Sequence, residues 1–148
     1  MKSAPTSAEF AAIAEEFADC LDAEERFELL LELGDRLEPM DPELQVDEYL
    51  VQGCTAQVWF IADPPTQPED PLHFQAHSDS HIVRGLIALL LSMVNDQLAV
   101  QIVDCDIEGA FKALDLQGHL SRSRSNGFAS MIRRVRALAT NRLVPDAG

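Results

Sequence analysis

The run Tyr49-Leu-Val-Gln-Gly-Cys-Thr-Ala-Gln-Val-Trp-Phe-Ile-Ala62 constrains the fold more than any other part of this chain. It contains no Asp, Glu, Lys or Arg and is rich in strand-forming side chains. Its fourteen residues exceed the usual strand of about five or six. The run must fold back or break, and Gly53 is the natural place, because glycine weakens a strand and accepts a bend. The pattern predicts a strand near 48–52, a bend at 53–55 and a strand at 56–62. The bend presents a thiol, Cys54, held out from the sheet.

The flanking segments predict helices before the sheet and after it. Thr6-x-x-Glu9 reads as a capping box, followed by Phe10, Ile13, Phe17 and Cys20/Leu21 at helical spacing. Asp22-x-x-Glu25 opens a second helix through Phe27, Leu30 and Leu31, with Gly34 as its expected stop. Pro39 and Pro42 mark a loop over 37–47, and four prolines between Asp63 and Pro71 mark another. Leu72, Phe74 and Ala76 alternate with His73, Gln75 and His77, which predicts a third, half-buried strand.

Ser78-Asp79 then caps a helix of about fifteen residues that is apolar nearly all round from Ile82 to Val94, the mark of a buried central helix. Residues 98–116 read as two short helices, and 118–121 as a break. An amphipathic helix over 123–141 turns Phe128, Met131, Ile132, Val135 and Leu138 inward and its arginines outward. Strands segregated from helices predict an α+β fold, a small antiparallel three-stranded sheet packed against helices in one domain, 1–148.

Charge and targeting signals narrow the function classes. Residues 1–48 hold 15 acidic and 3 basic residues, and the net charge is −14. Phosphate backbones are repelled by such a surface, so nucleic acid is not expected as a partner. An acidic front half suits protein docking or simple solubility. The arginines from Arg122 to Arg142 offer a second surface, for anionic partners, against the plainer reading of a solvated helix face. No stretch is long enough for a bilayer span and the opening residues lack a signal-peptide core, so the expectation is a cytoplasmic protein with free thiols and no membrane partner.

Cysteine spacing rules out the familiar metal motifs. Cys20, Cys54 and Cys105 form no C-x-x-C pair. Cys20 lies on an apolar helix face. Cys105 lies between Asp104 and Asp106, which disfavour a thiolate. Cys54 has no acid nearby and stays open between a working sulfur and a small buried hydrophobe. His73, His77, His81 and His119 could each complete a Cys-His pair, but no spacing singles one out. Asp79 has a plain reading as a helix cap, and no phosphate-binding glycine loop is present.

Three segments together resemble the SufE family of sulfur acceptor proteins. They are Val51-Gln-Gly-Cys-Thr-Ala-Gln-Val-Trp59, Ser78-Asp-Ser-His-Ile-Val-Arg-Gly-Leu-Ile-Ala-Leu-Leu90, and Leu120-Ser-Arg-Ser-Arg-Ser-Asn-Gly127 followed by Met131-Ile132. Leu33-Gly34-x-x-Leu37 also fits, so order and spacing agree from about Phe10 to Asn141. Ala56, Ser80-His81 and Arg122 depart from the family's usual residues.

The resemblance implies that Cys54 accepts a sulfane sulfur from a cysteine desulfurase and passes it to iron–sulfur cluster assembly. It implies supporting roles for Asp79, Arg124, Gly53 and Gln57. It also implies a fold shared with NifU N-terminal scaffold proteins, and no cofactor of the chain's own; pyridoxal phosphate belongs to the partner desulfurase. Either a monomer or a homodimer fits. Two other functions compete: an iron–sulfur scaffold, which needs several converging ligands, and a non-catalytic adaptor that activates the desulfurase.

Overall fold

A computed structural model describes residues 2–64, 67, 69–116, 118 and 120–143. Six helices and one hairpin organise them. Helix α1 spans Ala8–Ala18 and α2 spans Ala23–Asp35, followed by short 3-10 turns at Pro42–Leu44 and Asp47–Tyr49. Strands β1 (Val58–Ala62) and β2 (Phe74–Ser78) precede α3 (His81–Val94), α4 (Ala99–Val103), α5 (Ile107–Ala113) and α6 (Arg122–Leu143). The α+β class therefore holds. No described helix is long and apolar enough to cross a membrane.

The expected three-stranded sheet is corrected to two strands. β1 and β2 pair antiparallel from Val58↔Ser78 to Ala62↔Phe74. The segment 48–52 is not a strand. It begins in the second 3-10 turn and makes a single bridge, Leu50↔Trp59. Its first amides bond back into that turn, Tyr49 N to Val46 O at 3.0 Å and Leu50 N to Asp47 O at 3.2 Å, and Arg134 of α6 donates to the Tyr49 carbonyl at 3.3 Å. One face of the hairpin, through Val58, Phe60, Phe74 and Ala76, is buried, and β2 packs on α3.

Helix α3 is the central element. Leu86, Ile87, Leu89, Leu90 and Val94 are fully buried, each contributing roughly 1.5–3 kcal/mol. Its N-cap is Ser80, whose Oγ accepts from Val83 N at 3.4 Å. The cap expected at Asp79 is thus one residue later. In α1 the cap is likewise Ser7, accepting from Phe10 N, rather than Thr6. Asp22 caps α2 as predicted.

Gly34 does not end α2; the helix runs on to Asp35 with Arg36 as C-cap. The glycine serves the crossing of α2 and α3 instead. A Cβ on Gly34 would lie 2.9 Å from Gly85 N, and one on Gly85 would lie 2.2 Å from Leu30 O. Two bare positions let the backbones approach more closely than side chains allow.

Candidate functional site

The bend around Cys54 is a loop closed at its base and laid against α6. Val51 N donates to Val58 O at 2.8 Å, which shuts the loop. Gly53 has φ 91°, a conformation that L side chains resist. A Cβ there would also meet Ser130 Oγ at 2.5 Å. The Cys54 thiol donates to the Gly127 carbonyl at 3.5 Å. Thr55 Oγ1 and Ser123 Oγ share a hydrogen bond. Residues 123, 127 and 130 recur at the helical repeat, so they form one face of α6. The loop runs down that face as the helix runs up it, and small residues make the contact close.

The far arm of the loop is braced by Asp79 and Gln57. Asp79 Oδ1 accepts from Gln57 N at 3.1 Å, and Asp79 N donates to Gln57 O at 3.4 Å. These bonds extend the hairpin one pair beyond Val58↔Ser78. Asp79 is therefore a brace of the cysteine loop, not the cap of α3, and Gln57 takes part through its backbone.

Cys54 opens on a cavity of about 490 Å³ between the loop, the start of α3 and the first half of α6. Its apolar wall includes Val58, Val83, Leu86, Phe128 and Met131; its polar rim includes Asp79, Ser121 and Arg124. Ser121 accepts from Arg124 N at 3.2 Å and so fixes the first turn of α6. The sulfur is half-buried. Burial pushes the Cys54 thiol above its ordinary range, and the Arg133 guanidinium works against that shift. The sulfur is thus sheltered between the loop and α6, and both its burial and its contact with the Gly127 carbonyl favour the thiol form.

The structure brings Gly53, Cys54, Gln57, Asp79 and Arg124 to one site. The Arg133 guanidinium favours the anion of the thiol. Arg133 Nη2 donates to Ser130 Oγ at 2.8 Å. Sequence reasoning missed Ser123, Gly127, Ser130 and Arg133. The small residues Ser123-x-x-x-Gly127-x-x-Ser130 were the available signal, since they mark a helix face meant for close approach.

The other thiols and the histidines lie elsewhere. Cys20 donates to Glu16 O at 3.4 Å. Cys105 is buried beside Ser3, which pairs with Asp104 and Asp106 through two backbone hydrogen bonds of 2.7 Å. Burial, chiefly, raises the pKa of both. Among the described residues no three Cys, His, Asp or Glu side chains are grouped to hold a metal ion.

His77 stacks on Trp59 with centroids 6.0 Å apart, and burial lowers its pKa. His73 meets Asp96 at 3.1 Å and His81 meets Asp35 at 2.9 Å. None of these three lines the Cys54 cavity. His119 lies outside the described residues. The arginines expected to face outward divide: Arg122, Arg124 and Arg133 are exposed, whereas Arg134, Arg136 and Arg142 reach the carbonyls of Tyr49, Cys105 and Asp70.

Known proteins resemble this chain in sequence and in fold. The family model described as "SufE: Fe-S metabolism associated domain" matches residues 11–139. An uncharacterised SufE-like protein of Rhizobium meliloti (strain 1021) is 39% identical over 132 residues, covering 88% of this chain and 94% of that protein. A second SufE-like protein, from Rhizobium etli, is 37% identical over 125 residues, covering 84% of each. The solution structure of a hypothetical protein from Thermus thermophilus shares the fold at TM-score 0.74, with 16% identity, over 95% of this chain and 98% of that one.

Proposed function

The chain belongs to the SufE family, associated with Fe–S metabolism, and from that premise we propose that it is a sulfur carrier whose acceptor is Cys54. The donor is a cysteine desulfurase that bears a persulfide on its own cysteine and holds the pyridoxal phosphate that generates it. The recipient is an iron–sulfur assembly protein. The observation that carries this assignment is the setting of Cys54. Its thiol opens on a cavity of about 490 Å³, away from the other two cysteines and from the three described histidines.

The transfer balances without an oxidant. The Cys54 sulfur attacks the outer sulfur of the donor persulfide, forming a new S–S bond. The bond between that outer sulfur and the donor's cysteine breaks, and its electron pair leaves with the donor sulfur. The proton lost by Cys54 ends on the released donor thiol. The products are a Cys54 persulfide and a reduced donor.

Each part of the site has a task in that sequence. The apolar wall formed by Val58, Val83, Leu86, Phe128 and Met131 keeps the persulfide from stray thiols and oxidants. The hydrogen bond to Gly127 holds the resting thiol protonated and turned to α6. Docking of the donor must then shift the loop, whose residues Gly53, Thr55 and Gln57 are exposed. The hinge glycine and the Thr55–Ser123 bond are the contacts such a motion would use.

A test follows from turnover. Wild-type chain added to a cysteine desulfurase with cysteine raises alanine production, because it removes the persulfide that otherwise stalls the enzyme. Cys54→Ser does not. Equal stimulation by both would favour a non-catalytic adaptor and refute the carrier assignment.

A further inference from the structure

We propose that Ser130 and Arg133 form a positioning pair for Cys54: the Ser130 hydroxyl, seated under Gly53, holds the Arg133 guanidinium beside the cysteine loop, where its charge favours the sulfur anion during transfer. The role in transfer rests on Cys54 being the sulfur acceptor.

The geometry uses Ser130 fully. Its Oγ–H donates to the Asn126 carbonyl at 3.1 Å, and its oxygen accepts from Arg133 Nη2 at 2.8 Å. Ser130 is 5% exposed, although it lies off the helix stripe that carries the core residues Met131 and Val135. What covers it is the cysteine loop, since a Cβ on Gly53 would lie 2.5 Å from the hydroxyl oxygen. The same hydroxyl therefore touches the hinge of the loop and tethers a cation.

Arg133 is exposed. An untethered arginine on a surface samples many rotamers, and its average field at one sulfur is weak. The hydrogen bond to Ser130 selects among those rotamers. Among the described residues the charged groups facing Cys54 are Arg124 and Arg133 from α6, and Asp79 from the junction of β2 and α3. Asp79 is engaged with Gln57 N. The titrating group in this contact is the thiol. Burial works against its anion and Arg133 works for it.

The pair makes a distinct prediction from a merely structural contact. Alkylation of Cys54 by iodoacetamide, followed at its own peptide across pH, reports the thiolate fraction. Ser130→Ala and Arg133→Gln each move the profile upward by about half a pH unit, which lowers the neutral-pH rate about threefold. Arg133→Lys restores part of the shift. The double variant matches Arg133→Gln, because Ser130 acts through Arg133.

Sulfur uptake from a desulfurase slows in the same order and recovers for Ser130→Ala at higher pH, while circular dichroism verifies that the variants are folded. Profiles identical to wild type, or a double variant shifted by the sum of the single shifts, overturn the pair whatever the sulfur assay shows. Absence of sulfur on wild-type Cys54 overturns the carrier assignment instead, and with it the pair's role in transfer.

Discussion

Replacing Gly53 by alanine tests the geometry on which the site depends. Two separate costs arise. The backbone sits at φ 91°, where an L side chain costs roughly 1–2 kcal/mol. The new Cβ would also lie 2.5 Å from Ser130 Oγ and 3.5 Å from Ser130 Cβ. Ser130 cannot swing aside without breaking its bonds to Asn126 and Arg133. Overpacking of this kind costs about 1–3 kcal/mol. Taking the lower ends, Gly53→Ala loses about 2 kcal/mol, or about 4–8 °C in Tm for a chain of this size.

The two costs can be separated. Adding Ser130→Ala removes the 2.5 Å contact and leaves the 3.5 Å one, which is ordinary van der Waals distance. The double variant recovers the overpacking part, about 1 kcal/mol, and keeps the backbone part. Thermal denaturation of wild type, both single variants and the double variant gives the coupling directly. A Gly53→Ala protein that melts with wild type, or a cycle with no coupling, would refute the claim that the hinge of the loop rests on Ser130.

Three further outcomes follow. Gly85→Ala places a Cβ 2.2 Å from the Leu30 carbonyl; urea denaturation should show a loss of about 3 kcal/mol or more, and wild-type stability would contradict the close crossing of α2 and α3. Asp79→Ala leaves Gln57 N without its acceptor and frees one arm of the loop, so stability should fall by about 1 kcal/mol while Cys54 alkylates faster; an unchanged rate would mean that Asp79 does not brace the loop. Glu108 is held at about 2 rather than 4.5 by its side-chain hydrogen bonds to Arg136. A depressed carboxylate contributes stability above its unfolded pKa and loses it as pH falls. The ion pair should therefore be fully stabilising above about pH 4.5 and lost toward pH 2. Because Glu108 is largely exposed, the contribution is about 1 kcal/mol at most, and Glu108→Gln should flatten the acid limb of a Tm-versus-pH curve by that amount.

Local signals made the helices and both strands of the hairpin legible. The apolar spacing of Phe10, Ile13 and Phe17, the cap at Asp22, and the apolar girth of 82–94 are written in neighbouring residues, and the structure follows them. The errors lie where distant contacts decide. Tyr49, Leu50 and Val51 have strand-forming side chains, yet only Leu50 finds a bridge: the Tyr49 and Leu50 amides bond back into a 3-10 turn, and Arg134, 85 positions away in sequence, adds a bond to the Tyr49 carbonyl. Gly34 looks like a helix stop until Gly85 and His81 are seen against it. Neighbouring hydroxyls at Thr6 and Ser7 can cap equally well by composition, and the structure uses Ser7.

The site divides in the same way. The bend and its thiol are visible because an uncharged run too long for one strand must break at its glycine. The floor of the site is not, because Gly127 stands 73 positions beyond Cys54. Asp79 reads locally as a cap, whereas its carboxylate serves Gln57 across 22 positions. The arginines of α6 carry one charge pattern in sequence, but three are exposed and three are tied to backbone carbonyls.

Intact-mass measurement tests the central claim most directly. The chain is incubated with a cysteine desulfurase and cysteine, desalted without reductant, and then mapped by peptide. The account predicts a gain of one sulfur atom located on the Cys54 peptide, reversed by dithiothreitol and lost in Cys54→Ser but kept in Cys20→Ser and Cys105→Ser. A Cys54→Ser protein that still gains the sulfur would contradict it.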